Sequence, residues 1–132
     1  MYLLDTNVCI VYLKSRNLHL KERLETTSPQ NIAVCSIVKA ELFYGAMRSQ
    51  NPSHNLVLQQ EFLDRFISLP FDDRAAGFFG EIRSELAGKG QLIGPYDLQI
   101  AAIALAQDCC LVTHNTREFS RVPGLLLEDW EV

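Results

Sequence analysis

Four acidic residues occupy positions at which a carboxylate could take part in chemistry. Asp5 ends a short apolar run, Asp97 begins one, Glu41 lies within one, and Glu118 follows a polar loop. Carboxylates gathered in one place repel each other, so their pKa values rise unless a cation lies among them. Mg²⁺ and Mn²⁺ are hard divalent cations that favour such oxygen ligands. A site of this kind supports phosphoryl chemistry, in which one metal activates water and a second stabilises the leaving oxygen.

Asp5 lies at the predicted junction between a buried strand and a helix. The apolar residues 2–4 precede it, and Thr6 and Asn7 are typical of a helix start. Ligand sites in open parallel α/β sheets collect at the carboxyl ends of strands. An aspartate at this position also caps the helix by accepting backbone N–H bonds, and capping alone would account for Asp5 equally well.

Glu41 is predicted to lie on the apolar face of a helix that begins with Ser36 as its N-cap and runs to about Arg48. It follows Ile37 by four residues and precedes Tyr44 by three, which places it on their face. The other members of this predicted apolar face are Val38, Leu42 and Gly45. A buried carboxylate needs a partner or a metal, unless its stem packs while its charged end reaches water.

Asp97 is predicted in the first turn of a helix at 95–106 that is apolar nearly all round and therefore central. Pro95 suits the first helical position. The helix dipole stabilises a negative charge in this turn, which would explain Asp97 without any functional role. The residues three and four positions further on, Ile100 and Ala101, are typical of a core and indicate a buried carboxylate.

A third strand end is predicted near the end of the chain. The strand at 109–113 runs into a polar loop that carries Asn115 and Glu118. If the loop winds into a short helix, these two residues share a face, and Phe119 anchors the turn in the core. Because an anionic oxygen binds Mg²⁺ more strongly than a neutral amide does, we favour Glu118 as the fourth acid and Asn115 as its positioner.

Strands and helices alternate along the chain, which predicts a single α/β domain at 1–132 with a mainly parallel sheet. The remaining strands are predicted at 32–35, at 67–71 and at 125–127. Pro70 confines the second of these to an edge of the sheet. Asp5, Asp97 and Glu118 therefore fall at strand ends or helix starts of one sheet, and Glu41 lies on a helix face nearby.

The composition is that of a globular protein, with 132 residues of which 48% are hydrophobic and 21% charged. A formal net charge of −4 argues against a broadly basic, nonspecific nucleic-acid binder, but it allows a nuclease with clustered acids. The four cysteines show no disulfide framework, and the three histidines form no zinc pattern with them. We expect buried thiols in a reducing cytoplasm, no signal peptide and no membrane span.

Four segments carry a resemblance to a known family: YLLDTN (2–7), KAELFYGA (39–46), IGPYDLQIAAIALA (93–106) and LVTHNTREFSRVPGLLLEDW (111–130). They resemble the PIN-domain toxin ribonucleases of the VapC type. The resemblance implies a three-layer α/β/α sandwich, a Mg²⁺-dependent endoribonuclease site, a VapB-type antitoxin that blocks it, and a homodimer. Relatives with the GP-x-D and NTREF segments include enzymes that cut initiator tRNA in the anticodon region.

The resemblance also assigns roles to individual residues. Asp5, Glu41 and Asp97 match the family's three acids, of which the two aspartates are the expected metal ligands. Glu118 matches the acid of NTREF, although many relatives have aspartate in this loop. The groups expected to orient the acids or bound water are Thr6, Thr113 and Asn115. Apart from the resemblance, Arg117 is expected to point away from the acids on the predicted turn and to contact an RNA phosphate.

Two other classes of function stay open at this point. A phosphotransfer enzyme of the haloacid-dehalogenase type would use Asp5 as its nucleophile, but it needs a second aspartate where this chain has Asn7. A PIN-like module could bind RNA or a protein partner without cutting, although it would not require all four acids.

Some apolar side chains exceed what a small core needs, and we expect part of them to bury a second copy of the chain or an antitoxin helix. They are Leu56, Phe62, Leu63, Phe66, Phe78 and Phe79.

Overall fold

The computed structural model describes residues 1–132 and contains five parallel strands that alternate with seven helices. The strands are β1 (Tyr2–Leu4), β2 (Ile32–Cys35), β3 (Ile67–Leu69), β4 (Cys110–Val112) and β5 (Leu127–Glu128). The helices are α1 (Thr6–Leu13), α2 (Leu18–Thr26), α3 (Ser36–Met47), α4 (Pro52–Leu63), α5 (Asp73–Gly88), α6 (Pro95–Ala106) and α7 (Thr116–Phe119). A single turn of 3₁₀ helix, Pro29–Asn31, precedes β2.

The sheet has the order β3-β2-β1-β4-β5, and its flanking helices confirm the predicted α/β sandwich. β1 pairs with β2 on one side and with β4 on the other, so that Leu3 lies opposite both Ala33 and Leu111. The strand order reverses at β1, and the crevice at such a reversal is where open α/β sheets bind ligands. The carboxyl ends of β1, β2 and β4 therefore meet at one edge of the sheet.

Helix α6 is the buried helix that its composition predicted. All residues from Ile100 to Ala104 are buried, and Pro95 stands at the first helical position. The small alanine side chains allow α5 and α3 to pack against α6. This packing holds the first turn of α6, and with it Asp97, in a defined position.

Three local predictions were wrong in detail. β2 runs into α3 without a loop, so Cys35 takes the N-cap position and Ser36 is already helical. Tyr44 is 69% exposed, because the buried face of α3 is a narrow stripe of Val38, Leu42 and Ala46. The last strand begins at Leu127, which is the residue that lies opposite Leu111 in the register with β4.

The apolar side chains predicted to exceed the core pack largely within the chain. Phe62 and Leu63 are buried, and the Phe62 ring lies 5.1 Å from the rings of both Tyr12 and Phe66. Ring contacts of this kind contribute beyond the area that they bury. Phe62 and Leu63 therefore need no second chain to cover them.

The four cysteines are free thiols, three of them buried and Cys110 partly exposed. Burial raises the pKa values of all four thiols, which is unfavourable for a reactive thiolate. They act as small core residues, as predicted. None of the helices is both long and apolar enough to cross a membrane.

Candidate active site

Asp5 serves both as a helix cap and as the centre of the acid site. Its backbone N–H donates to the Val112 carbonyl of β4 over 3.1 Å, which extends the sheet by one residue. Its carboxylate accepts the Val8 N–H over 2.8 Å and so caps α1. The Asp5 side chain is nevertheless available for a second contact, because a carboxylate has several lone pairs. The capping alternative is therefore correct but does not exclude a functional role.

The environment of Asp5 is unfavourable for a negative charge. Burial, which leaves only 4% of the residue exposed, raises the pKa of Asp5 to about 6. Hydrogen bonds from the Thr113 hydroxyl and the Val8 N–H lower this pKa, whereas the negative charges of Asp97 and Glu131 raise it. A cation beside the carboxylate would stabilise its ionised form and lower this pKa.

Glu41 and Asp97 face the same region from two helices. The Thr6 hydroxyl of α1 donates to Glu41 Oε1 over 2.6 Å, which orients the Glu41 carboxylate. Asp97 is half-buried in the first turn of α6, and burial raises its pKa. The negative charges of Glu41 and Glu118 raise this pKa further, so these three carboxylates act on one another.

Glu118 reaches the site from the short helix predicted in the final loop. Phe119 is 1% exposed and anchors this helix in the core. Asn115 stands just before the helix, and its backbone N–H donates to the Thr113 hydroxyl oxygen over 3.0 Å. Because Thr113 also bonds Asp5, the loop is tied directly to the first acid. Arg117 is exposed on the same helix.

None of the four acids has a cationic partner within the chain. The three ion pairs in the structure lie elsewhere: Arg23–Glu128, Lys89–Glu85 and His114–Asp129. The available donors at the site are carboxylate and hydroxyl oxygens, with no thiol or imidazole among the predicted ligands. This donor set fits a hard divalent cation such as Mg²⁺ or Mn²⁺.

A second acidic cluster was not predicted from the sequence. His114, Asp129 and Glu131 place their ligand atoms within 4.8 Å of one another, and no three of the four predicted acids lie that close together. His114 Nδ1 lies 2.9 Å from Asp129 Oδ2, and this hydrogen bond raises the pKa of His114. The charge of Glu131 acts on Asp5, so the two clusters adjoin. Their spacing in sequence carries no recognisable motif, which is why this group was missed.

Comparison with known proteins agrees with the geometry. The model of the PIN domain family matches residues 2–125. The chain is 42% identical over 129 residues to the tRNA(fMet)-specific endonuclease VapC of Salmonella typhimurium, covering 98% of this chain and 97% of that one. It is 39% identical to ribonuclease VapC2 of Rickettsia felis, with coverage of 99% and 98%.

Solved structures show the same fold. The DNA-bound VapBC of Salmonella typhimurium matches with a TM-score of 0.92 at 42% identity, covering 98% of this chain and 97% of that chain. VapBC2 of Rickettsia felis bound to promoter DNA matches with a TM-score of 0.92 at 38% identity, with coverage of 98% for both chains.

The parallel sheet with acids at its carboxyl edge and the family match together define a nuclease domain of the PIN class. Within that class, identity of about two-fifths over nearly the whole chain is shared with VapC ribonucleases. The chain belongs to the PIN-domain family and to its VapC ribonucleases, which confirms the resemblance noted in its sequence and the predicted hydrolytic chemistry.

Proposed function

We propose that this protein is a Mg²⁺-dependent endoribonuclease and the toxin of a toxin–antitoxin pair, with Mn²⁺ able to replace Mg²⁺. The observation that supports it best is the set of four carboxylates that act on one another without a cationic partner. Such an arrangement is unfavourable for folding by itself, and a bound cation makes it favourable. PIN nucleases are metal-dependent as a class, and the choice of Mg²⁺ is our proposal.

Each residue of the site has a proposed role. Asp5 and Asp97 bind the cation, and Glu41 completes the negative site from α3. A Mg²⁺ ion held by these residues would supply Lewis acidity for phosphodiester hydrolysis and would make a water molecule easier to ionise. Glu118 orients that water or binds a second, weaker ion. The groups that hold the acids in position are Thr6, Thr113 and Asn115.

Arg117 has the proposed role of binding a phosphate of the RNA. Its side chain is exposed beside Glu118 and forms no ion pair within the chain. A guanidinium can hold phosphate oxygens through two N–H donors at once. Its contact with the backbone would position the strand without reading its sequence.

We propose tRNA as the substrate, and initiator tRNA cut in the anticodon region as the first candidate. Relatives from Salmonella typhimurium and Shigella flexneri, 42% and 41% identical, are named as tRNA(fMet)-specific endonucleases. Both alignments cover 98% of this chain, which supports proposing the same specificity for it.

The proposed partner is a VapB-type antitoxin, since several solved structures that resemble this chain are VapBC complexes. A groove of about 640 Å³ lies between α1, α3 and α4, and it fits an amphipathic segment. Its apolar walls come from Ile10, Leu13, Leu42, Leu58 and Phe62. Gln59 also lines it, and its Oε1 is buried without a hydrogen-bond partner within the chain. Because Glu41 lines the same groove, an occupant would lie beside the acid site.

We propose that the protein acts in the cytoplasm as a homodimer. The cytoplasm is where its proposed tRNA substrate is found, and four free thiols are consistent with that compartment. Light scattering of the purified protein tests the dimer, and a mass of one chain would contradict it.

Cleavage of labelled initiator tRNA in Mg²⁺, Mn²⁺ and EDTA tests the proposed activity. We expect cuts in the anticodon loop with either metal and none in EDTA, and little cleavage of an elongator tRNA. The matched control is Asp108→Asn, which changes an exposed aspartate at the opposite edge of the sheet. Its φ of 55° is one that asparagine tolerates. Tight RNA binding without any cleavage would favour a binding module and contradict the proposal.

A further inference from the structure

The chain has two exposed aromatic side chains, Tyr44 and Tyr96, which are 69% and 57% exposed. Every other Phe, Tyr and Trp side chain is buried or partly buried. Neither of the two rings is paired with another ring or with a guanidinium group, and neither hydroxyl forms a hydrogen bond within the chain. The folded monomer therefore makes no use of either ring.

Both tyrosines lie close along the chain to an acid of the site. Tyr44 follows Glu41 by three residues on α3, which places the two on neighbouring positions of the helix surface. Tyr96 directly precedes Asp97 in the first turn of α6. Helices α3 and α6 contact each other, and the charge of Glu41 acts on Asp97. One exposed ring thus stands on each of the two helices that bring these acids together.

The charge of the molecule limits how RNA can be held near these acids. Phosphate contacts from lysine and arginine normally dominate the affinity of nucleic-acid binding. Here the formal net charge is −4, and four carboxylates surround the reaction centre. Stacking of a base on an aromatic ring requires no positive charge and suits any base, since every base has a π-face.

We propose that Tyr44 and Tyr96 stack the bases of nucleotides next to the scissile phosphate, so that the enzyme selects RNA whose bases are unpaired. The inference rests on the proposed ribonuclease function and adds to it the residues that hold the bases of the substrate. Bases in a duplex are stacked on their neighbours, whereas bases in a loop or single strand can turn onto a protein ring. Cleavage would accordingly be confined to loops and single strands.

Steady-state cleavage of a short labelled RNA loop measures the effect on KM and kcat separately. We expect Tyr44→Ala and Tyr96→Ala each to raise KM roughly tenfold with little change in kcat, since one base–ring stack is lost. Tyr44→Phe and Tyr96→Phe keep the ring and should behave like the wild type. Leu126→Ala is the matched control, because Leu126 is 64% exposed and lies directly before the edge strand β5.

A second arm changes the RNA in place of the protein. Removing the base on either side of the cut should raise the wild-type KM, and the corresponding alanine variant should lose nothing further on that abasic RNA. If the alanine substitution raised KM on the abasic RNA as much as on the intact RNA, the proposal would be overturned. Additive effects of this kind would show that ring and base do not contact each other.

Binding without turnover separates this inference from the proposed function. Fluorescence anisotropy of labelled single-stranded RNA in EDTA should show weaker binding by both alanine variants, whether or not the wild type cleaves with Mg²⁺. If the wild type does not cleave RNA but the alanine variants bind it more weakly, the ribonuclease proposal would be refuted and stacking would be supported. Unchanged RNA binding would overturn stacking, and a fall in mass of the same variants in light scattering would then assign the rings to an interface between copies of the chain.

Discussion

The protein carries two acidic clusters side by side, and they differ in how their charge is balanced. At the carboxyl edge of the sheet, Asp5 and Asp97 have raised pKa values and no cationic partner. In the neighbouring cluster, Asp129 is paired with His114 over 2.9 Å, and Glu131 lies beside them. The second cluster is the more compact of the two and already contains its own cation whenever His114 is protonated.

We propose that the proximity of ligand atoms is a poor guide to the metal site of this protein. A compact group can be satisfied internally, whereas a looser group of buried and partly buried carboxylates leaves both room and need for an added ion. We therefore assign the metal to the looser set. The predictions below test that assignment, from the largest expected effect to the smallest.

Asp97→Asn and Asp5→Asn should each reduce RNA cleavage by about 100-fold or more, because a direct metal ligand is lost. Both variants should also bind Mn²⁺ more weakly in isothermal titration calorimetry, while the Asp108→Asn control keeps both properties. Asparagine remains a good N-cap, so Asp5→Asn keeps the cap of α1. Cleavage near the wild-type rate in either variant would show that the metal site is assigned to the wrong residues.

The stability of the metal-free protein should depend on the charge of Asp5. Its folded pKa of about 6 lies above the ordinary value of 3.8, so the folded state binds the proton more tightly. The contribution of this raised pKa to the free energy of unfolding is present below pH 4. It is lost as the pH rises through 6, and the loss amounts to about 3 kcal/mol. Asp5→Asn, which cannot ionise, should therefore unfold at higher urea concentration than the wild type at pH 7.5 in EDTA, and the two should converge near pH 4. Equal stability of both at pH 7.5 would argue against a buried, uncompensated carboxylate.

Glu118→Gln should slow cleavage by roughly tenfold and leave the tight Mn²⁺ affinity largely intact, because a group acting on the water contributes a smaller share than a metal ligand. Asn115→Ala should have a smaller effect, since the contact that Asn115 makes to Thr113 uses its backbone N–H, which alanine retains. Cleavage rates and metal affinities measured in parallel test both. An inactive Asn115→Ala beside an active Glu118→Gln would reverse the two roles.

His114→Gln should change cleavage and Mn²⁺ affinity by less than about twofold, because an exposed ion pair contributes little. The hydrogen bond to Asp129 raises the pKa of His114, so its stabilising effect is present at acidic pH and is lost as pH rises through that value. Any stability difference from the wild type should appear at pH 6 and vanish at pH 8.5. His19→Gln, on the exposed side of α2, is the control. A large loss of metal affinity in His114→Gln would move the metal to the compact cluster.

The fold was predictable because its signals are local. Each central strand is a short apolar run, and a capping or polar residue follows it, so strand ends and helix starts could be read in order. The same reasoning located Asp5 and Asp97, and it anticipated the short helix anchored by Phe119. It failed for Tyr44, because local spacing assigns a residue to a helix face but does not say how wide the buried stripe is.

The sequence by itself determined the alternation of strands and helices, the family, and the positions of the acids along the chain. Only the tertiary structure decided which of those acids meet. The strand order β3-β2-β1-β4-β5 brings Thr6 within 2.6 Å of Glu41, 35 residues away, and places His114 against Asp129. Contacts of this kind depend on how the elements stack, because a side chain's charge and burial are set by neighbours that lie far away in the sequence.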